Sequence, residues 1–320
     1  MTETPFASRK SPAAERVTGA SRGAARWALY FRERFPLAVH VPVIAVFSGS
    51  SVAYAWAATA GPGAVAPAAP AVAFVVALLL FLQLRILDEF KDFDDDRRYR
   101  PYRPVPRGIV TLRALGRLGL VAAALQVAAS ALLGMPAVVA LVVVWAYAGL
   151  MAAEFFARNW LRARPAVYLA SHMGVVPLVV AHGATCAGAR FPFLSLAGFA
   201  AMSYFTFCVF EIGRKIRAPA DEQAGVETYS AVWGRRRAVF AWLASMAVAG
   251  LFAAIAADAI DALRPTLALI PVMGLAVALS WRFLRDPKPG GGKAFLTVSG
   301  VWMVVGFLAL AAGAGMRLQG

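Results

Sequence analysis

Charge is scarce in this chain. Only 15% of its 320 residues are charged and 60% are hydrophobic, where a soluble domain carries about 25% charged residues. That shortage excludes a soluble globular domain. The apolar runs are helix-length, which also excludes the ten-residue alternating strands of a membrane barrel. Cysteine is scarcer still. Cys186 and Cys208 lie in separate apolar runs, which leaves no disulfide framework and no cysteine metal spacing. Acids are missing from the middles of the apolar runs, so the ion pathway of a transporter, which needs mid-membrane carboxylates, has nothing to be built from. Residues 1–26, rich in Ala, Ser, Arg and Gly, lack the short apolar segment of a cleavable signal and are expected to form a disordered, basic N-terminus.

What remains is apolar sequence in nine blocks, at about 36–58, 70–87, 112–134, 136–154, 166–187, 194–213, 236–257, 266–284 and 295–315. Each is long enough, or nearly so, to cross ~30 Å of hydrocarbon. The third and fourth are separated by Gly134-Met135-Pro136, a tight hairpin signal. Residues 27–35, which mix aromatics with arginines, suit the membrane interface. The expected fold is all-α: a polytopic bundle of nine transmembrane helices over residues 27–315. With the N-terminus inside, 29 of the 32 Lys and Arg fall in cytoplasmic segments, and only Arg190, Arg264 and Arg317 fall on the other side. This bias predicts cytoplasmic N-terminus and loops. It also accounts for the net charge of +15 without nucleic acid.

The scarce charge is concentrated. Residues 85–107 hold Asp88, Glu89, Asp92, Asp94, Asp95 and Asp96, then Arg97, Arg98, Arg100, Arg103 and Arg107. A helix carried through this stretch places Asp88, Asp92 and Asp96 at i, i+4 and i+8 on one face, with Glu89 beside them. Like charges at that spacing repel, so cations are expected between them. Oxygen-only ligands point to Mg²⁺, which shares its shell with water and substrate phosphate. The arginines suit phosphate directly. A second charged locus closes the sixth block, where Glu211, Arg214, Lys215 and Arg217 precede Asp221, Glu222 and Gly225. Two acidic clusters at one face of a bundle suit two or three Mg²⁺ around a diphosphate. Arg235, Arg236 and Arg237 are expected only to snorkel. A third stretch, residues 154–164, carries Phe155, Arg158, Arg162 and Arg164.

Together these motifs resemble the UbiA superfamily of intramembrane prenyltransferases. Its members have nine helices, an NDxxDxxxD motif after the second, an Arg-Pro shortly afterwards and a second Asp-rich motif after the sixth. Here the first motif reads Asp88-Glu89-x-x-Asp92-x-x-x-Asp96, and Arg103-Pro104 supplies the Arg-Pro. In the second, Asp221, Gly225 and Thr228 match, but Arg217 stands where the family has its first acid, and Glu211 is a substitute one turn earlier. Phe155 and Arg158 are the nearest counterparts of a family Tyr and basic residue.

The resemblance implies Mg²⁺-dependent ionisation of an allylic prenyl diphosphate, with Mn²⁺ as the alternative ion. The prenyl group then passes to a hydrophobic acceptor such as an aromatic ring or quinone precursor. Metal ligands are expected among Asp88, Glu89, Asp92, Asp96, Glu211 and Asp221. Asp92, Asp96, Arg103 and Lys215 are expected to carry catalysis. Arg107, Arg158, Arg214 and Arg217 would contact the diphosphate. Aromatic faces would stabilise the carbocation, drawn from Trp145, Tyr147, Tyr168, Tyr204, Phe205 and Phe207. His172 would orient or deprotonate the acceptor. The prenyl tail would lie between helices, open to membrane lipid. Within the same fold the alternative is a terpene cyclase or lyase, which ionises the diphosphate without an external acceptor. A non-catalytic scaffold gives no reason for two acidic clusters on one side.

Overall fold

The structure, a computed structural model, describes residues 24–59, 65–188 and 193–319. Every regular element among the described residues is helical. The spans are α2 (Leu37–Ala58), α3 (Ala69–Lys91), α5 (Leu112–Ala131), α6 (Met135–Ala152), the pair α8 (Pro165–Met173) and α9 (Val175–Cys186), α10 (Phe193–Gly213), α12 (Arg235–Asp258), α13 (Leu269–Arg285) with the 3₁₀ turn Arg264–Ala268 before it, and α14 (Gly292–Gln319). Short helices lie between them: α1 (Ala24–Arg34), α4 (Phe93–Tyr99), α7 (Arg158–Arg162) and α11 (Tyr229–Trp233). Among the described residues nine helices are long and apolar enough to cross a membrane, and the protein is an integral, multi-pass membrane protein. Most of the expected disordered segment lies outside the described residues, and α1 begins three residues before the expected boundary at 27.

Local chemistry sets the element ends. Pro70 and Pro136 occupy the first turns of α3 and α6, where a missing N–H costs nothing. Gly134, at φ +96°, makes the tight connection between α5 and α6. Thr111 and Thr228 cap α5 and α11, accepting from the N–H of Ala114 and Ala231 at 3.2 and 3.1 Å.

α2 sits at the centre and touches α3, α9, α10 and α14. Its Phe47 meets Phe81, Phe207 and Phe307 from three other spans, and Tyr54 stacks on Phe199. Lipid gives apolar helices little reason to associate, so close approach and interhelical hydrogen bonds hold the bundle. Gly183 packs on Ser51, and Gly198 on Ala256. Ser50 Oγ donates to the Phe307 carbonyl at 2.9 Å, Tyr54 Oη to Ala256 at 2.9 Å, and Trp242 Nε1 to Ser299 Oγ at 2.9 Å. Leu120, Phe240 and Ile270 stand exposed on the rim, as lipid-facing side chains do.

Two spans depart from continuous helix. The fifth is broken at Gly174, between α8 and α9. Pro177 explains it: the ring offers no N–H to the Met173 carbonyl four residues back and crowds it. Tyr147 Oη donates to the Ser171 carbonyl at 2.7 Å and Tyr204 Oη to that of Ala170 at 3.0 Å. The tyrosines thus brace the break from α6 and α10. The second span, α3, ends at Asp92, with φ −95° and ψ 7°, and restarts as α4. The single helix expected through the first motif is therefore bent. The i→i−4 hydrogen bonds nonetheless continue from Asp92, Asp96 and Arg100 at 2.8–2.9 Å.

Candidate active site

The first acidic segment folds as the C-terminal turn of α3 followed by α4, and its carboxylates have different surroundings. Glu89 is buried and paired with Arg34 of α1. Asp96 is buried between Arg103, whose Nη1 lies 2.6 Å from Oδ2, and Arg100 at 3.2 Å. Arg107 reaches Glu33 at 3.3 Å and the Tyr102 carbonyl at 3.3 Å. Asp88 is half exposed and touches Arg85 at 3.3 Å. Asp92 forms no ion pair among the described residues, and burial followed by the charge of Asp88 holds its carboxyl above the usual range. The structure thus leaves Asp88 and Asp92, one turn apart, as the least committed acids of the motif.

The second segment lies at the same end of the bundle. Tyr99, the last residue of α4, packs over Gly225, which has φ +74°; a Cβ there would run into the Tyr99 ring. Asp88 also lies within electrostatic reach of Arg214. Glu211 is held by Arg214, with Nη2 at 2.8 Å, and by Lys215 at 3.0 Å. The Lys215 ammonium sits 5.3 Å from the centroid of the Tyr229 ring. Asp221 Oδ2 accepts the Gly290 N–H at 2.7 Å, tying this segment to the loop before α14. Arg217 Nη1 donates to the Asp221 carbonyl at 3.3 Å, while its backbone N–H donates to Ser230 Oγ at 2.7 Å. Glu222 accepts from Thr228 Oγ1 at 2.7 Å. No three His, Cys, Asp or Glu residues converge as a metal centre among the described residues.

A third group adjoins the first segment, and two of its members, Lys91 and Glu154, were not singled out from sequence. Lys91 Nζ donates to Tyr168 Oη at 2.7 Å and lies 3.9 Å from Glu154 Oε1. Glu154 is buried and also faces Arg158 at 3.4 Å. Glu154, Phe155 and Phe156 all have positive φ, at 48°, 51° and 57°, a conformation that non-glycine residues adopt rarely. Tyr168 stacks on His172 at 3.8 Å, and Phe155 meets the same imidazole edge-on at 5.9 Å. His172 Nδ1 lies 2.9 Å from the Tyr168 carbonyl, and Nε2 is buried without a partner among the described residues. The charges of Lys91, Asp88 and Glu211 all reach this ring. The signal for Lys91 was its spacing: it is three residues from Asp88, on the same helix face. A Glu-Phe-Phe left-handed turn carries no such signal.

Residues 47–310 match the UbiA prenyltransferase family. No curated protein matches the chain. Among solved structures, the apo form of a UbiA homologue from Aeropyrum pernix K1 aligns with TM-score 0.61 at 17% identity, covering 86% of this chain and 98% of that one. A digeranylgeranylglyceryl phosphate synthase aligns with TM-score 0.56 at 14% identity, covering 91% and 99%. A UbiA homologue from Archaeoglobus fulgidus bound to DMAPP and Mg²⁺ aligns with TM-score 0.56 at 14% identity, covering 86% and 98%. At these identities the likeness is one of fold, and it covers nearly the whole of each relative.

Proposed function

The chain belongs to the UbiA prenyltransferase family, and from that membership we propose its reaction: ionisation of an allylic prenyl diphosphate with Mg²⁺, and transfer of the prenyl group to a hydrophobic acceptor such as an aromatic ring or quinone precursor. The observation that carries this reading is the pair Asp88 and Asp92, one turn apart with Asp92 unpaired, at the end of the bundle where Lys91, Arg103, Arg214 and Lys215 also gather. Two carboxylates fit Mg²⁺, which takes one or two from protein and fills its octahedron with water and substrate phosphate. The raised carboxyl of Asp92 fits as well, since a bound cation relieves its repulsion from Asp88. Asp88 and Asp92 would hold the ion. When bound, Mg²⁺ supplies charge stabilisation to the departing pyrophosphate.

The chain's own residues do the rest. Arg103 reaches Asp96 through Nη1 alone, so among the described residues its other N–H groups are left to meet phosphate oxygens. Arg214 and Lys215 share one carboxylate, Glu211, and leave net positive charge facing the leaving group. Tyr168, Phe155 and Tyr147 offer ring faces and edges that shield a carbocation from water. His172 Nε2 is an open acceptor beside them, suited to taking the proton that an acceptor loses as its new bond forms. The N-terminus and site loops are assigned to the cytoplasm from the distribution of Lys and Arg. Relatives of the same fold bound to DMAPP or GPP with Mg²⁺ support the substrate class.

The test is product analysis of purified protein with C10 to C20 prenyl diphosphates, with and without aromatic acceptors. The expected result is a prenylated acceptor and released pyrophosphate, both abolished by chelator. Catalytic amounts of terpene hydrocarbon or alcohol without acceptor would assign the cyclase reaction instead. Failure to consume any prenyl diphosphate in Mg²⁺ would overturn the reading.

A further inference from the structure

Lys91 brings a permanent cation to the acidic pair. Its side chain is 16% exposed, and an ammonium so enclosed is costly unless its donors are used. It has three N–H donors. Among the described residues one of them meets Tyr168 Oη, and the nearest carboxylate oxygen, at 3.9 Å, is beyond hydrogen-bond length. Asp88 and Asp92 stand in its field. An ammonium with open donors, set among carboxylates suited to a divalent ion, is built for an anion that arrives with a metal.

The second segment is short of free acids. Arg217 occupies the position of a metal-binding acid, and the Asp221 carboxylate is engaged by the Gly290 N–H. The second segment therefore offers cations more readily than metal ligands. We propose, resting on the reading of this site as one for a prenyl diphosphate, that Lys91 binds the diphosphate directly and does the charge-neutralising work of a metal that the second segment does not hold. Glu154 and Tyr168 are its positioning residues. The sparsely populated turn at residues 154–156 buries the Glu154 carboxylate between the Lys91 ammonium at 3.9 Å and Arg158 at 3.4 Å, and Tyr168 fixes the remaining direction.

The experiment is calorimetric titration of the full-length protein in detergent with inorganic pyrophosphate and Mg²⁺. Lys91→Met is expected to raise the dissociation constant about tenfold or more, the loss of one charge-assisted hydrogen bond. Lys91→Arg, which keeps the charge, is expected to stay within about threefold of the parent. Glu154→Gln is expected to weaken binding alone but to add nothing in the Lys91→Met background, because it acts through Lys91. Lys91→Gln, which keeps a donor toward Tyr168, replaces Lys91→Met if that variant unfolds, and carries the same expectation. An unchanged dissociation constant without the ammonium would overturn the proposal and leave the function intact. A parent protein that does not bind pyrophosphate with Mg²⁺ would sink both. Additive losses from Lys91 and Glu154 would remove Glu154 from the scheme.

Discussion

Asp92 and Asp96 are the same residue type four positions apart, yet their surroundings differ. Asp96 is 1% exposed and enclosed by two arginines. Breaking a buried pair leaves charge uncompensated, so Asp96→Asn should destabilise the protein by about 3 kcal/mol. Asp92 has no such partner to lose. Asp92→Asn should leave the unfolding temperature unchanged and reduce turnover by about 100-fold or more, because a ligand to the charge-stabilising ion is gone. Thermal unfolding and product assays on the two variants separate a structural acid from a reactive one. A matching loss of stability in both would contradict the assignment. The sequence shows the spacing of both acids, but Arg103, seven residues on, claims Asp96 only because the chain turns back after α4.

Between elements, the two charged segments meet through Tyr99 and Gly225. Gly225 has φ +74° and no room for a Cβ. Gly225→Ala adds about 1 kcal/mol or more of backbone cost and drives the methyl into the Tyr99 ring. It should lower the unfolding temperature and weaken pyrophosphate binding together, because the segments are pushed apart. Tyr99→Ala should recover part of both losses in the double variant, which calorimetry and thermal unfolding can check. The fifth span poses a similar element-scale problem. Pro177 is visible in sequence, but the block 166–187 reads there as one span, and Pro42 sits inside the unbroken α2, so the break itself is not. That Tyr147 and Tyr204 donate to the carbonyls beside that break is not visible either, because they lie on α6 and α10. Their hydroxyls serve as braces, while the Tyr147 ring meets Phe155 edge-on and the Tyr204 ring meets Phe205.

For the whole molecule, both charged segments lie at one end of a nine-span bundle. Cysteines introduced at positions 100 and 222 should therefore label from the same side of sealed membranes. The distribution of Lys and Arg predicts that this side is cytoplasmic. Labelling from opposite sides would reject the topology; labelling of both from the exterior would reject only the orientation. At the bundle's centre, Phe47 of α2 joins α3 and α10, the two spans that lead into the charged segments, through Phe81 and Phe207.

The sequence by itself determined the nine spans, because length and hydropathy are summed along the chain and need no partner. It also determined the two charged loci and their position at span ends, since ionisable groups are excluded from hydrocarbon. Only tertiary structure decided which charges are spent. Glu89 goes to Arg34, 55 residues away, and Asp221 goes to a backbone N–H 69 residues away. Lys91 and Glu154 come within 3.9 Å across 63 residues of sequence because a left-handed turn with no sequence marker aims one at the other. Local spacing is set by helical geometry and is legible in one dimension. Pairing between segments depends on where the chain returns, and that is decided by packing of the spans.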